Sequence, residues 1–222
     1  MYSMKQFSSS ENCVRQLLLA LTDKIDKNEE ILSSHTVANM LHGLCGMDSK
    51  YWEVRHYLKV LTKKLLKNTQ PFKYFEVSSA MFGLRRMSSD HQEVQDVVSV
   101  LARKIEASRE MFNSQVVSNC LYGMQNMSSQ HEAVRYLLSV IGHKIEVTGL
   151  QGGECMNAQG VGNALYGLRG MSSNRLEVRR LLKALAPKVA GCEQVPLAMS
   201  YFGSLNNITI INATSSNNCL FL

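Results

Sequence analysis

The chain has 222 residues, 45% of them hydrophobic, with three prolines, and its 24 Lys and Arg against 18 Asp and Glu leave a formal charge of +6. That apolar content excludes a disordered chain, and no apolar run approaches the roughly 18 residues a membrane span requires. The cationic excess is modest, compatible with a polyanionic partner but not specifying one.

In chain order, two lines of sequence alternate. Residues 1–10, "MYSMKQFSSS", align with "LYGMQNMSSQ" at 121–130, so the chain opens on the tail of a first-type line. A second-type line, "CVRQLLLALTDKI", starts at 13 and returns as "EVRHYLKVLTKKL" at 53, "EVQDVVSVLARKI" at 93, "AVRYLLSVIGHKI" at 133 and "EVRRLLKALAPKV" at 177. Between these stand "NMLHGLCGMDS", "SAMFGLRRMSS", "NCLYGMQNMSS" and "NALYGLRGMSS", whose glycines Gly43, Gly83, Gly123 and Gly167 are 40, 40 and 44 residues apart. The four extra residues fall in "VTGLQGGECMNAQG", which reads as a lengthened loop.

Both lines have helical periodicity. Val94, Val97, Val98, Leu101 and Ile105 fall at i, i+3, i+4, i+7 and i+11, one face of a helix B. Val117, Leu121 and Met124 mark a helix A, which is expected over 33–46, 73–86, 113–126 and 157–170. "MSS" or "MDS" is the turn between them, and Ser89 with Gln92 and Ser129 with Glu132 fit a capping box opening helix B. A glycine inside helix A costs about 1 kcal/mol relative to alanine. Its recurrence predicts close backbone approach between stacked helices. Pro187 predicts a kink or stop in the last helix B.

One hairpin cannot bury its own apolar face, whereas a stack can. The expected fold is therefore all-α: an α-solenoid of about five stacked helix-turn-helix repeats with a period near 40 residues. The array is expected over 1–203, starting and ending mid-repeat. "PLAMSYFGSLNN" resembles a last helix A, with Phe202-Gly203 in the aromatic-glycine slot. Residues 204–222 abandon the pattern and read as an irregular tail. Both ends lack a polar cap, as in a fragment of a longer protein.

"FNSQVVSNCLYGMQNM" (112–127) and "MNAQGVGNALYGLRGM" (156–171) resemble the octotricopeptide repeats, helical hairpins with a line of the form "PQ-LSN-LWALA-L". The likeness falls on Gln115, Ser118, Asn119, Leu121, Tyr122 and Met124, and on Gln159, Asn163, Leu165, Tyr166 and Leu168. Phe or Tyr stands where that family often has Trp, and Gly where it has Ala. The first copy has His42 in the aromatic slot, and the second has Ser79 in place of Asn. The resemblance spans 31–190. It implies a solenoid that binds single-stranded RNA in mitochondria or chloroplasts, acting in RNA processing, stability or translation.

The residues carry a matching chemistry of their own. Positions i, i+4, i+7 and i+11 of helix A form one stripe. It reads His35, Asn39, His42, Gly46, then Phe75, Ser79, Phe82, Arg86, then Gln115, Asn119, Tyr122, Asn126, then Gln159, Asn163, Tyr166, Gly170. Amides can pair with base edges and flat rings can stack on bases, which is what a single-strand reader needs. The row His35, Phe75, Gln115, Gln159 varies between copies as a code requires, and it is expected on a concave face formed by helix A. His42, Phe82, Tyr122 and Tyr166 are candidate stacking rings, and equally candidate packing between helices. Arg85, Arg86 and Arg169 are placed to meet phosphate.

Lys24, Lys64, Lys104, Lys144 and Lys188 repeat near the end of helix B, and Arg15, Arg55, Arg135 and Arg179 near its start, with Gln95 the exception. They are a candidate phosphate track, or simply cations suited to a helix C-terminus.

No zinc or redox CxxC spacing, HExxH, GxSxG or phosphate loop occurs. No unique residues break the repeat, so neither an enzyme nor a metal, cofactor or small-molecule substrate is expected. A protein-binding scaffold is the alternative reading. Cys45 and Cys120 read as buried free thiols. The sequons at Asn126, Asn207 and Asn212 read as chance, since no signal peptide indicates secretion. Apart from the resemblance, a cytoplasmic protein is expected.

Overall fold

The structure, a computed structural model, describes residues 2–148 and 155–192, and all regular structure among them is helical. A 3-10 turn over Tyr2–Gln6 precedes α1 (Asn12–Lys27), α2 (Ser34–His42), α3 (Trp52–Lys67), α4 (Tyr74–Gly83), α5 (Gln92–Ala107), α6 (Ser114–Tyr122), α7 (Glu132–Thr148), α8 (Ala158–Gly167) and α9 (Leu176–Ala190). Each helix packs on its next-but-one neighbour. Long helices α1, α3, α5, α7 and α9 form one row, and short helices α2, α4, α6 and α8 a second. One continuous apolar cluster lies between the rows, from Met4 to Leu185. The expected helix at 196–207 and the tail 204–222 lie outside the described residues.

The apolar rows bury as their spacing predicts. Val37, Val77, Val117 and Val161 are buried, as are Leu41, Met81 and Leu121, while Leu165 is partly covered. On the long helices, Val94, Val97, Val98, Leu101 and Ile105 are at most 1% exposed. Burial of an aliphatic side chain stabilises by about 1.5–3 kcal/mol, so these rows are the main source of cohesion. Cys45 and Cys120 are buried free thiols, and burial raises the pKa of both.

Three local readings need correction. The short helices end three to four residues before the predicted limits, at His42, Gly83, Tyr122 and Gly167. Beyond them i→i−3 bonds take over, as in Leu44 N–H to Leu41 O (2.9 Å) and Met47 N–H to Leu44 O (2.8 Å), tightening the chain into a 3-10-like turn. The glycines sit at this exit. A Cβ on Gly83, Gly123 or Gly167 would overlap the carbonyl oxygen of Leu41, Met81 or Leu121 on the preceding short helix, which is the close approach their recurrence predicts.

The second correction concerns the turn serines. Ser89 is not the cap of α5, whose N-cap is His91 without a side-chain bond. Buried Ser9, Ser49, Ser89 and Ser129 instead accept, through Oγ, the backbone N–H of Asp48, Ser88, Ser128 and Ser172 at 2.8–2.9 Å. Each fastens its own turn to the next one. Third, α9 continues for three residues past Pro187 before it stops at Ala190. Pro187 sits in the last turn, on an exposed position, and its missing N–H removes one i→i−4 bond there.

The basic ladders also serve the stack. Lys64, Lys104 and Lys144 donate to the carbonyls of Asn28, Asn68 and Ser108 in the loops after α1, α3 and α5. Lys therefore does suit a helix C-terminus, but that of the preceding long helix. Arg15, Arg55 and Arg135 bond two carbonyls of their own turn and pair with Glu53, Glu93 and Glu177 of the next long helix at 3.3, 3.9 and 3.7 Å.

Candidate functional site

The outer face of the short-helix row carries all the residues singled out for binding. His35, Phe75, Gln115 and Gln159, near the helix starts, are exposed, and Asn39, Ser79, Asn119 and Asn163, one turn on, are half-buried. One more turn along lie the rings, and at the helix exits Arg85, Arg86 and Arg169. The face thus runs from polar and variable at its N-terminal edge, through aromatic, to cationic.

The rings form a ladder. His42 stacks on Phe82 (centroids 5.8 Å, planes 19° apart), Phe82 on Tyr122 (5.7 Å, 22°) and Tyr122 on Tyr166 (5.8 Å, 27°). Such offset stacks add about 0.5–1.5 kcal/mol each. Both faces of Phe82 and Tyr122 meet neighbouring rings, so the stacking partner of each ring is the next one. Burial lowers the pKa of His42 below 6.5, with Lys5 and Arg85 acting in the same sense against a bond with the Ser79 backbone. That favours the neutral ring that stacks on Phe82.

The three arginines differ. Arg85 lies 4.6 Å over the Phe82 ring and is half-buried. Arg169 lies 4.5 Å over Tyr166 and donates to Gln125 O (2.7 Å) and Asn126 Oδ1 (2.5 Å), so its guanidinium is largely engaged by the preceding repeat. Arg86 is exposed and has no such contact among the described residues.

The clefts between successive short helices are unequal. Between α2 and α4, Asn39 donates to His35 Nε2 (2.9 Å), His35 Nδ1 faces Glu76 (3.8 Å), and the His35 ring meets Phe75 edge-on at 6.2 Å. Polar capacity there is turned inward. Between α4 and α6, Asn119 donates to Ser78 Oγ (2.9 Å). Between α6 and α8 a cleft of about 410 Å³ opens, lined by Asn113, Ser114, Gln115, Ser118, Asn119, Asn157, Gln159, Gly160 and Asn163. Every side chain on this wall is an amide or a hydroxyl. Gln115, Gln159 and Asn163 make no hydrogen bond among the described residues.

Asn113, Ser114, Ser118 and Asn157 were not singled out by the stripe argument. Asn113 and Asn157 are the N-caps of α6 and α8, accepting from Val116 N–H (2.8 Å) and Gly160 N–H (2.7 Å). The signal for them is the paired "FNSQ" and "MNAQ", with an N-cap amide two residues before each glutamine.

No protein-family model, curated protein or solved structure matches the chain.

The arrangement can bind a flat, hydrogen-bonding ligand at its amide edge and an anion at Arg86. Among the described residues no cluster of three or more His, Cys, Asp or Glu could hold a metal ion, and no helix is long and apolar enough to cross a membrane.

Proposed function

We propose that the chain is an α-solenoid that binds single-stranded RNA along the outer face of its short helices. The observation that carries this reading is the α6–α8 cleft, where carboxamides from two successive repeats converge on one open space and three of them, Gln115, Gln159 and Asn163, make no hydrogen bond among the described residues. Single-stranded bases are read by hydrogen bonds to their edges, and repeat readers give two or three side chains to each base. The strand runs across the helices, with bases at the amide edge and phosphates towards Arg86 and Arg85. The likeness of the helix A line to octotricopeptide repeats supports the same ligand and a role in organelle RNA processing, stability or translation. The reading assigns no reaction to the protein.

Photocrosslinking tests it. Mixed-sequence RNA carrying 4-thiouridine is irradiated with the protein, and the modified peptides are mapped. Crosslinks concentrated on 34–46, 74–86, 114–126 and 158–170 support the reading. Crosslinks confined to the long helices, or none while a peptide competes for the same face, favour a protein scaffold.

A further inference from the structure

We infer that the cleft between α6 and α8 selects adenine in the bound strand. This rests on the RNA reading above and goes further in assigning one base to one place. The lining contains neither a guanidinium nor a carboxylate. Arginine is the usual partner of guanine's O6 and N7, and a carboxylate the usual acceptor for cytosine's amino group, whereas Asn and Gln pair bidentately with adenine. The cleft thus lacks the groups that favour two of the four bases.

The two-sided layout decides further. Gln115 and Asn119 stand on the α6 wall, Gln159 and Asn163 on the α8 wall. A carboxamide offers one donor and one acceptor side by side. Adenine presents that complement on two edges at once, because its amino group has two hydrogens and is flanked by N1 and N7. Uracil has one ring N–H between two carbonyls, so only one carboxamide can pair with it bidentately. Cytosine has a single such edge. Guanine has two, N1–H with O6 and N2–H with N3, but the second lies beside the ribose, and its outer edge, N7 with O6, holds two acceptors. Adenine alone offers two such edges clear of the ribose, one for each wall. The Asn119 amide nitrogen is held by Ser78, which leaves its carbonyl oxygen to accept an amino hydrogen. The α2–α4 cleft has no such preference, since His35, Asn39 and Glu76 turn to one another there. A volume of about 410 Å³ lies within the range of small-molecule sites and admits a purine.

The test is equilibrium binding of labelled oligoadenylate, oligouridylate and oligocytidylate to the whole chain at low salt, by fluorescence anisotropy. Oligoadenylate is expected to bind about tenfold tighter than the other two, within the range a bidentate base contact supplies. The Gln115→Ala/Gln159→Ala variant, altered only at exposed positions, is expected to shrink that gap to about twofold, because it weakens oligoadenylate, which uses both walls, more than oligouridylate, which uses one. Equal binding of all three by the unaltered chain overturns the adenine assignment and leaves the RNA reading standing. An adenine preference that survives in the double variant also overturns it, because the preference then arises elsewhere. Binding of none of the three overturns the RNA reading and the assignment together. A matching thermal melt for the variant shows that any change is local.

Discussion

Ser88 and Ser89 stand side by side in one turn and have unrelated roles. Ser88 Oγ bonds only Asp90, two residues on, at the surface. Ser89 Oγ is buried and accepts the Ser128 N–H, 39 residues away. Ser89→Ala leaves that partly buried amide without its acceptor, so a loss of about 1–3 kcal/mol is expected. Ser88→Ala should stay within about 0.5 kcal/mol. Denaturant midpoints for the two variants check this, and equal effects would contradict the fastening role. The serine pair was visible in the sequence as a turn, but its partner was not, because a cap and an inter-repeat bond require the same hydroxyl in the same place. Gln95 is a second case. It interrupts the arginine ladder, and the structure shows that its partner changes with it: Ala133 stands where Glu53, Glu93 and Glu177 pair with arginines. Gln95 Nε2 still holds the Ser89 carbonyl (2.9 Å) and lies 3.1 Å from His131 Nδ1. Gln95→Arg with Ala133→Glu should therefore rebuild the clasp. A double-mutant cycle is expected to give a favourable coupling of up to about 1 kcal/mol, the range for partly exposed pairs. Zero coupling would show that the clasp geometry fails at this step.

At the scale of elements, the apolar rows were legible because a single helical period places every member. The short-helix ends were not, because local propensity does not show where a neighbouring carbonyl intrudes. Glycine has two meanings here. At Gly123 a Cβ would strike the Met81 carbonyl of α4, whereas at Gly142 it would lie 3.4 Å from Leu181 Cα, ordinary contact. The positions matching Gly142 hold Thr62 and Ala102, both well buried. Gly142→Ala is thus expected to stabilise α7 by up to about 1 kcal/mol through helix propensity. Gly123→Ala should cost about 1–3 kcal/mol or more, since α4 and α6 must move apart. Thermal unfolding of both variants gives shifts of opposite sign if the close approach fixes the spacing of the short helices. A harmless Gly123→Ala would show that it does not.

At the scale of the whole molecule, cohesion comes from neighbours. Leu17 on α1 is 45% exposed, while Tyr57, Val97, Leu137 and Leu181 at the same helical position are fully buried by the preceding long helix. The proposed binding face arises the same way, since no single helix contains the α6–α8 cleft. That is why the stripe residues were legible one by one, while the convergence of four amides at one cleft and the engagement of Arg169 were not. Binding to mixed-sequence single-stranded RNA across a salt series, from about 50 to 200 mM, tests the proposed function most directly. The expected result is measurable binding at the low end, with log affinity falling linearly against log salt by about 0.7 per phosphate neutralised. Arg86→Ala should lower that slope by about 0.7 for all sequences alike. Absence of binding at the lowest salt, or binding whose slope and strength ignore both Arg86→Ala and Gln115→Ala/Gln159→Ala, would contradict RNA recognition by the short-helix face.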